Sequence, residues 1–353
     1  MQKFLSSIAA IFRYPLRWVA RSEFTAPGGY REIWHIAYPL ILMSASFTVM
    51  QIADRIFLAW NSTLELSAAP VAGIFYFGLF CFAIVTINFT SAVVAQLYGA
   101  EDRRGCVEAS WSGFFAGLAV GIVMGLAVPF IGCWLIDHVF GHGPELTALE
   151  KTYFLALAPC GLLQCMSAPL FAFFSGRGKT LVVAAVNVIA CIVNIGLDYV
   201  LIFGKCGFPA MGIKGAGIAT SLSVFAGFVM ILFFFLFHPQ TEYRTRRWIC
   251  FKFEYVRKLL VFGTPSGLQV FFGVMSFNVV LVVIGRLSPE ALASTNIALS
   301  INNIVFMPLL GISDATAIMV GQLVGSNRRK MANLSAYRSW RIALVYMTLC
   351  TLV

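Results

Sequence analysis

The sequence predicts an all-α polytopic membrane protein of about nine spans, the later ones repeating the earlier ones. Three observations carry this. Of 353 residues, 59% are hydrophobic and 11% charged, whereas soluble domains are about one-quarter charged. The charges are clustered, leaving long apolar runs. A shift of the chain along itself brings two stretches into register.

The uncharged runs are Ile33–Ala53, Ala109–Ile136, Thr152–Gly176, Thr180–Leu197, Gly215–Thr241 and Leu259–Gly285. Most reach the roughly 20 residues needed to cross about 30 Å of hydrocarbon. Two further spans sit beside or around one acid: Ser67–Leu97 follows Glu65, and Ala291–Leu323 contains Asp314. A ninth starts near Ile342 and stops with the chain at Val353.

The net charge of +10 is a topology signal rather than a nucleic-acid signal. Of the 25 Lys and Arg, 20 fall in segments 1–34, 98–111, 175–180, 239–258 and 325–341. Arg55, Lys151, Lys205, Lys214 and Arg286 fall between the other span ends. The positive-inside rule then places the N-terminus and the larger basic group in the cytoplasm, in an inner or plasma membrane. The first 34 residues mix Lys3, Arg13, Arg17 and Arg21 with Phe4, Ile8, Phe12 and Trp18. They fit an interfacial amphipathic segment or a plain cytosolic tail, and no cleaved signal peptide is expected.

Shifted by 226 residues, Pro39–Gly99 aligns with Pro265–Gly325 without a gap, with 11 identities in 61 positions. Val94, Gln96, Leu97 and Gly99 fall on Val320, Gln322, Leu323 and Gly325, and both copies then turn basic. Both copies enter from the same side, so this is a parallel repeat of two six-helix lobes. The layout expected is a terminal segment 1–34, a first lobe 35–241, a linker 242–255 and an incomplete second lobe 256–353. An equal second copy would end about residue 473, so the chain is expected to lack roughly 120 residues of it.

Ionisable and amide side chains inside spans are candidates for function, because a charge there costs about 2.5–3.5 kcal/mol on insertion scales. Asp198 follows Asn194 by four residues and Asn187 by eleven, which sets all three near one helix face. The alternative for Asp198 is a cap on the helix end. Asp54 lies 15 residues after Pro39 and is followed by Arg55. The two either form an anchoring ion pair or point about 100° apart, Asp54 to the bundle and Arg55 to the interface. Asp314 pairs through the repeat with Asn88, and packing or transport fits either residue. Gln51, Asn187, Asn302 and Asn303 are candidate cavity-lining residues. Pro39 and Pro265, in the first turns of matching spans, are candidate hinges.

Other chemistry is disfavoured. No nucleotide loop, nucleophile elbow or zinc-protease motif occurs, so neither an enzyme nor a cofactor is expected. Nine cysteines are scattered without a CxxC pair, as small apolar filler. His138 and His142 alone make a poor metal site.

Gly-Arg-Gly-Lys-Thr at Gly176–Thr180, the run from Asn194 to Gly204, Gly215–Thr220, Ala53–Ala59, Phe306–Gly311 and Val320–Gly325 together resemble the MATE (multidrug and toxic compound extrusion) transporters. The resemblance runs from about Tyr30 to the end. It implies a MATE-like fold of twelve spans around a central cavity and export of organic cations and other drugs in exchange for H⁺ or Na⁺. It also carries a coupling site of one branch onto Asp54, Asn194, Asp198 and Thr220. Met50 and Arg55 depart from that branch. A glutamate used by a second branch falls on Gly273, so that site is absent. The expected protein is a monomeric secondary antiporter of a cationic, amphipathic small molecule, with no nucleic-acid partner and no metal besides Na⁺ at Asp54 and Asp198. The alternative is a lipid-linked precursor or polysaccharide flippase of the related superfamily, whose cavities carry several Lys and Arg that these spans lack.

Overall fold

The computed structural model describes residues 24, 28–138, 143–237, 242–287 and 289–351. Most of residues 1–34 thus lie outside the described residues, as does His142. Among the described residues the regular structure is helical throughout. In hydrocarbon each backbone N–H and C=O needs an internal partner, and a helix supplies one within the segment.

The helices are α1 (Tyr30–Asn61), α2 (Thr63–Asn88), α3 (Thr90–Gly99), α4 (Arg103–His138), α5 (Pro144–Ser175), α6 (Thr180–Phe203) and α7 (Ile213–Leu236). After the linker come α8 (Phe253–Lys258), a π-helical turn (Leu259–Gly263), α9 (Thr264–Leu287), α10 (Pro289–Gly325) and α11 (Arg329–Thr351). Helices α2 and α3 form one span across Phe89, and α8, the π turn and α9 run on into another. Eight spans among the described residues are long and apolar enough to cross a membrane. The ninth, α11, is helical but opens on the polar stretch Arg329–Arg341, so it falls short in apolarity.

The surface inverts that of a soluble protein. Phe130 is 78% exposed and Leu126 66%, as lipid-facing side chains are. Trp60 and Trp134 are exposed near helix ends, where amphipathic rings suit the membrane–water boundary.

Both candidate hinge prolines lie deeper than the uncharged runs imply. Pro39 is in the third turn of α1, and Pro265 follows the helix start at Phe253 by 12 residues. The helices extend into polar flanks whose backbone still gains hydrogen bonds. Pro265 has no N–H for the carbonyl of Val261. The π turn just before it absorbs the mismatch, and Thr264 N–H bonds back to Leu260 O.

Helices in lipid associate by close packing rather than by hydrophobic drive. Gly113, Gly117 and Gly121 line the face of α4 that meets α5. A Cβ on Gly117 would stand 2.1 Å from the carbonyl oxygen of Cys165, so only glycine allows this approach. The repeat places Ser339 and Ala343 of α11 at the positions of Gly113 and Gly117. They line a groove of about 450 Å³ between α10 and α11, with Ser313 and Thr316 on its other wall.

The lobes meet chiefly along three helix pairs, α1 with α10, α2 with α9 and α3 with α10. Ile33, Ile36, Ala37 and Leu40 of α1 pack with Ile312, Ala315, Met319 and Leu323 of α10. Gly263 and Gly267 abut backbone of α2 at Thr86 and Phe82. At the basic end the shared motif touches itself. A Cβ on Gly99 would lie 1.9 Å from Gln322 O, and one on Gly325 would lie 1.9 Å from Gln96 O. Gln322 also donates its amide to Gly176 O at 2.7 Å.

The linker is strapped to the first lobe. Trp111 Nε1 donates to Thr245 O at 2.8 Å, and Lys252 N–H donates to Ser112 Oγ at 3.0 Å. The Lys252 ammonium and Arg104 both pair with the buried Glu108. The buried Arg177 guanidinium lies 4.2 Å from the ring centroids of both Phe173 and Tyr243. Burial draws Arg177 below its ordinary value, yet a guanidinium stays protonated. Trp111→Phe keeps the ring and removes one buried donor, at a cost of about 1 kcal/mol. Tryptic cleavage within Arg244–Arg247 is expected to quicken about fivefold, as the open population rises. An unchanged cleavage rate would show that the strap does not depend on this bond.

Candidate functional site

The site forms where α1 crosses α6. On α1, Asp54 and Leu58 share a buried face while Arg55 is exposed, so the two neighbours do point apart. On α6, Asn194 and Asp198 are one turn apart and fully buried. With its amide nitrogen facing the acids, Asn194 donates to Asp54 Oδ1 and to Asp198 Oδ2, each at 3.1 Å. Through that shared amide the two carboxyls are neighbours and act on each other. Asp198 Oδ1 is buried without a hydrogen-bond partner among the described residues. Cys191 Sγ contacts Ser46 O at 3.3 Å, fixing α1 against α6 two turns away.

Asp198 is therefore more than a helix cap: α6 ends at Phe203, capped by the left-handed Gly204. The other named residues are less tightly joined to the pair. Thr220 on α7 is half-buried, and its hydroxyl donates to Ala216 O at 3.0 Å rather than to a carboxyl. Asn187 donates to Val183 O at 2.9 Å. Gln51 is exposed on α1, as is Asn302 on α10. The side chain of Asn303 lies outside the described residues. His138 stacks on Trp134, its Nδ1 2.9 Å from Trp134 O. All nine cysteines are free thiols.

Tyr153 of α5 belongs with this cluster and was not singled out by the sequence. It is buried, its ring lies 3.4 Å from where a Cβ on Gly217 would be, and both carboxyls and Arg55 act on it electrostatically. A search for acids and amides in spans passes over a tyrosine. A polar-tipped ring at the start of the apolar run of α5, two residues after Lys151, was the available signal.

Chemically, two such neighbouring carboxyls share a proton or, when both are ionised, need another cation. No cluster of three His, Cys, Asp or Glu suited to a transition metal occurs among the described residues. A proton or an alkali ion fits the carboxyl and amide oxygens present.

Fold and site together define a helical membrane protein of two related lobes, the first enclosing a buried acidic pair. The MatE family model matches residues 39–200 and 265–353, and the chain belongs to that family. Among similar proteins are the Probable multidrug resistance protein NorM of Photorhabdus laumondii and the Multidrug resistance protein MdtK of Proteus mirabilis. The first is 26% identical over 318 residues, 89% of this chain and 69% of that protein. The second is 26% identical over 326 residues, 92% of this chain and 71% of that protein. Among solved structures, a MOP superfamily transporter from Pyrococcus furiosus superposes with a TM-score of 0.83 at 20% identity, covering 93% of this chain and 72% of that one. A multidrug resistance MATE family transporter in an outward-facing conformation gives 0.82 at 19%, with the same coverage. The structural likeness shows the MATE-like fold, and this chain spans about 70% of these relatives' length.

Proposed function

We propose that the chain acts in a secondary active antiporter that exports drugs and organic cations in exchange for H⁺ or Na⁺. The observation that carries this is the buried Asp54–Asn194–Asp198 cluster, joined across two helices by one amide. The multidrug-resistance names of the relatives support the export half. The low count of Lys and Arg in the spans disfavours the lipid-linked precursor flippase, which needs charge to hold pyrophosphate.

In this proposal residues 35–241 are the cation-coupling lobe, 242–255 the linker and 256–353 the second lobe. The basic end faces the cytoplasm of an inner or plasma membrane. A cation arriving from outside occupies the Asp54–Asp198 pair and cancels their mutual repulsion. α1 then bends near Pro39, with matching movement near Pro265, and the cargo leaves outward. A cationic, amphipathic cargo entering from inside favours release of the coupling ion. Thr220 and Tyr153 supply further polar contacts as the site rearranges.

The test is uptake of labelled ethidium into inside-out proteoliposomes under an imposed pH or Na⁺ gradient. Asp54→Asn and Asp198→Asn are each expected to lower gradient-driven uptake at least about tenfold, the effect of losing one partly desolvated charge. Unchanged gradient-driven uptake in both variants would sink the site assignment. The gradient that drives uptake names the ion.

A further inference from the structure

The linker carries an apolar edge that neither lobe covers. Trp248–Lys252 is not helical, and Lys252, just before α8, has extended backbone angles (φ −113°, ψ 114°). Successive side chains of extended backbone point to opposite faces. Trp248, Cys250 and Lys252 turn inward and are half-buried, the Lys252 ammonium reaching the buried Glu108. Ile249, Phe251 and Phe253 turn outward and are 53%, 54% and 66% exposed. Exposed apolar side chains are ordinary on a span, but this segment is no span: residues 244–258 hold six Lys and Arg against one acid, Glu254.

The depth of this edge is set by α4. The Phe251 ring centroid is 6.4 Å from that of Phe115, and the neighbouring Lys252 N–H donates to Ser112 Oγ. Phe115 lies six residues into the uncharged run Ala109–Ile136, which has 28 residues (136 − 109 + 1). That is about 42 Å of helix, where about 30 Å of hydrocarbon is crossed. A centred run leaves about 6 Å in the head groups at each end, and Phe115, about 9 Å from Ala109, stands just inside the acyl boundary. The apolar edge therefore sits where head groups give way to chains, a level that a soluble partner does not reach.

The charges lie nearer the water. Arg244–Arg247 is a turn, with Arg247 N–H donating to Arg244 O at 2.9 Å. Thr245 in that turn is held by Trp111, four residues closer to the basic end of α4 than Phe115 is. Arg246 is committed to protein: its Nε donates to Leu236 O at 3.0 Å, and its guanidinium is 3.8 Å from the Phe237 ring centroid. Arg244 and Arg247 are exposed and form no ion pair with any described residue.

We propose that the linker is a binding site for anionic phospholipid, with Arg244 and Arg247 on the head-group phosphate and Ile249, Phe251 and Phe253 at the acyl boundary. Charge and depth together select this occupant. Cationic side chains above an apolar edge match an anionic lipid, whereas a zwitterionic lipid satisfies the apolar half alone. The site bears on both lobes, because the linker is strapped to the first through Trp111 and Glu108 and opens α8 of the second.

The test uses the 353-residue chain in phosphatidylcholine nanodiscs, with its native cysteines replaced and bimane attached at Phe253→Cys. Phosphatidylglycerol or phosphatidylcholine, brominated near the glycerol end of the acyl chain, is added at the same low mole fraction, and quenching reports which lipid lies beside the label. A basic side chain near the surface is worth about fivefold in affinity for anionic lipid. Brominated phosphatidylglycerol is therefore expected to quench at least about fivefold more effectively than brominated phosphatidylcholine. Arg244→Gln/Arg247→Gln is expected to bring the two within about twofold, and Arg244→Lys/Arg247→Lys to keep most of the preference. Size-exclusion profiles matching the labelled parent show that the variants fold. No quenching by either lipid, equal quenching by both in the parent, or a preference that survives in the folded Arg→Gln chain overturns the proposal. The readout uses no ion gradient and no cargo, so it stands or falls apart from the antiport reading.

Discussion

Replacing Gly325 with valine is expected to part the two lobes at their basic end. The smallest side-chain atom would sit 1.9 Å from Gln96 O, far inside van der Waals contact. The obstacle is backbone, so no rotamer change relieves it and α10 must move away from α3. Gly99→Val meets Gln322 O at the same distance and is expected to act alike. Overpacking of this kind costs about 1–3 kcal/mol, equivalent to about a 5- to 150-fold change in a two-state population. The readout is maleimide labelling of Ala95→Cys, a fully buried position under Gly321, in a chain whose native cysteines are replaced. Gly125→Val is the control, since nothing lies within 4 Å of that position. If Gly325→Val labels no faster than the control, the crossing does not hold this end closed.

The second large effect is at Asn194. Asn194→Leu keeps the volume close and removes the amide that serves Asp54 and Asp198 together. Both carboxyls lose a buried donor, and the expected loss of stability is about 2–4 kcal/mol. Gradient-driven ethidium uptake is expected to fall with it. The diagnostic is the double variant. Adding Asp54→Asn leaves one buried acid and returns an amide to the site, so it is expected to recover part of the thermal stability that Asn194→Leu lost, whereas independent sites would simply add their costs. Additive losses in thermal unfolding would mean that the amide does not join the two acids energetically.

The spans were legible because an apolar run of about 20 residues has few other uses. The acidic cluster was legible in part. Asn194 and Asp198 are four apart, a spacing that fixes one helix face, and Asp54 stands out as an acid in a span. That Asp54 would meet them depends on how α1 crosses α6, which no local pattern encodes. Helix ends were misjudged at Phe253 and Tyr30 because charged residues continue a helix once its apolar part is anchored. The π turn before Pro265 escaped because a shortage of one N–H can be met by several local geometries. Thr220 shows the limit of motif transfer: its hydroxyl is satisfied by its own helix. The linker looked like a polar connector, yet Trp111 and Glu108 draw it into the core, and both partners are distant in sequence.

The repeated Val-x-Gln-Leu-x-Gly motif has a consequence for how this sequence can change. Gly99 rests on Gln322 and Gly325 on Gln96, so residue i meets j′ while j meets i′. That reciprocity is the signature of an isologous contact, the kind found between identical subunits related by a two-fold axis. Here both subunits' worth of surface is encoded in one polypeptide. A drift of backbone in either copy is felt by the glycine of the other, so the halves are not free to diverge at this point. Elsewhere they have done so, with Asp54 facing an equivalent Val280. The chain thus keeps an inherited symmetry where the lobes must touch and abandons it at the buried acidic pair.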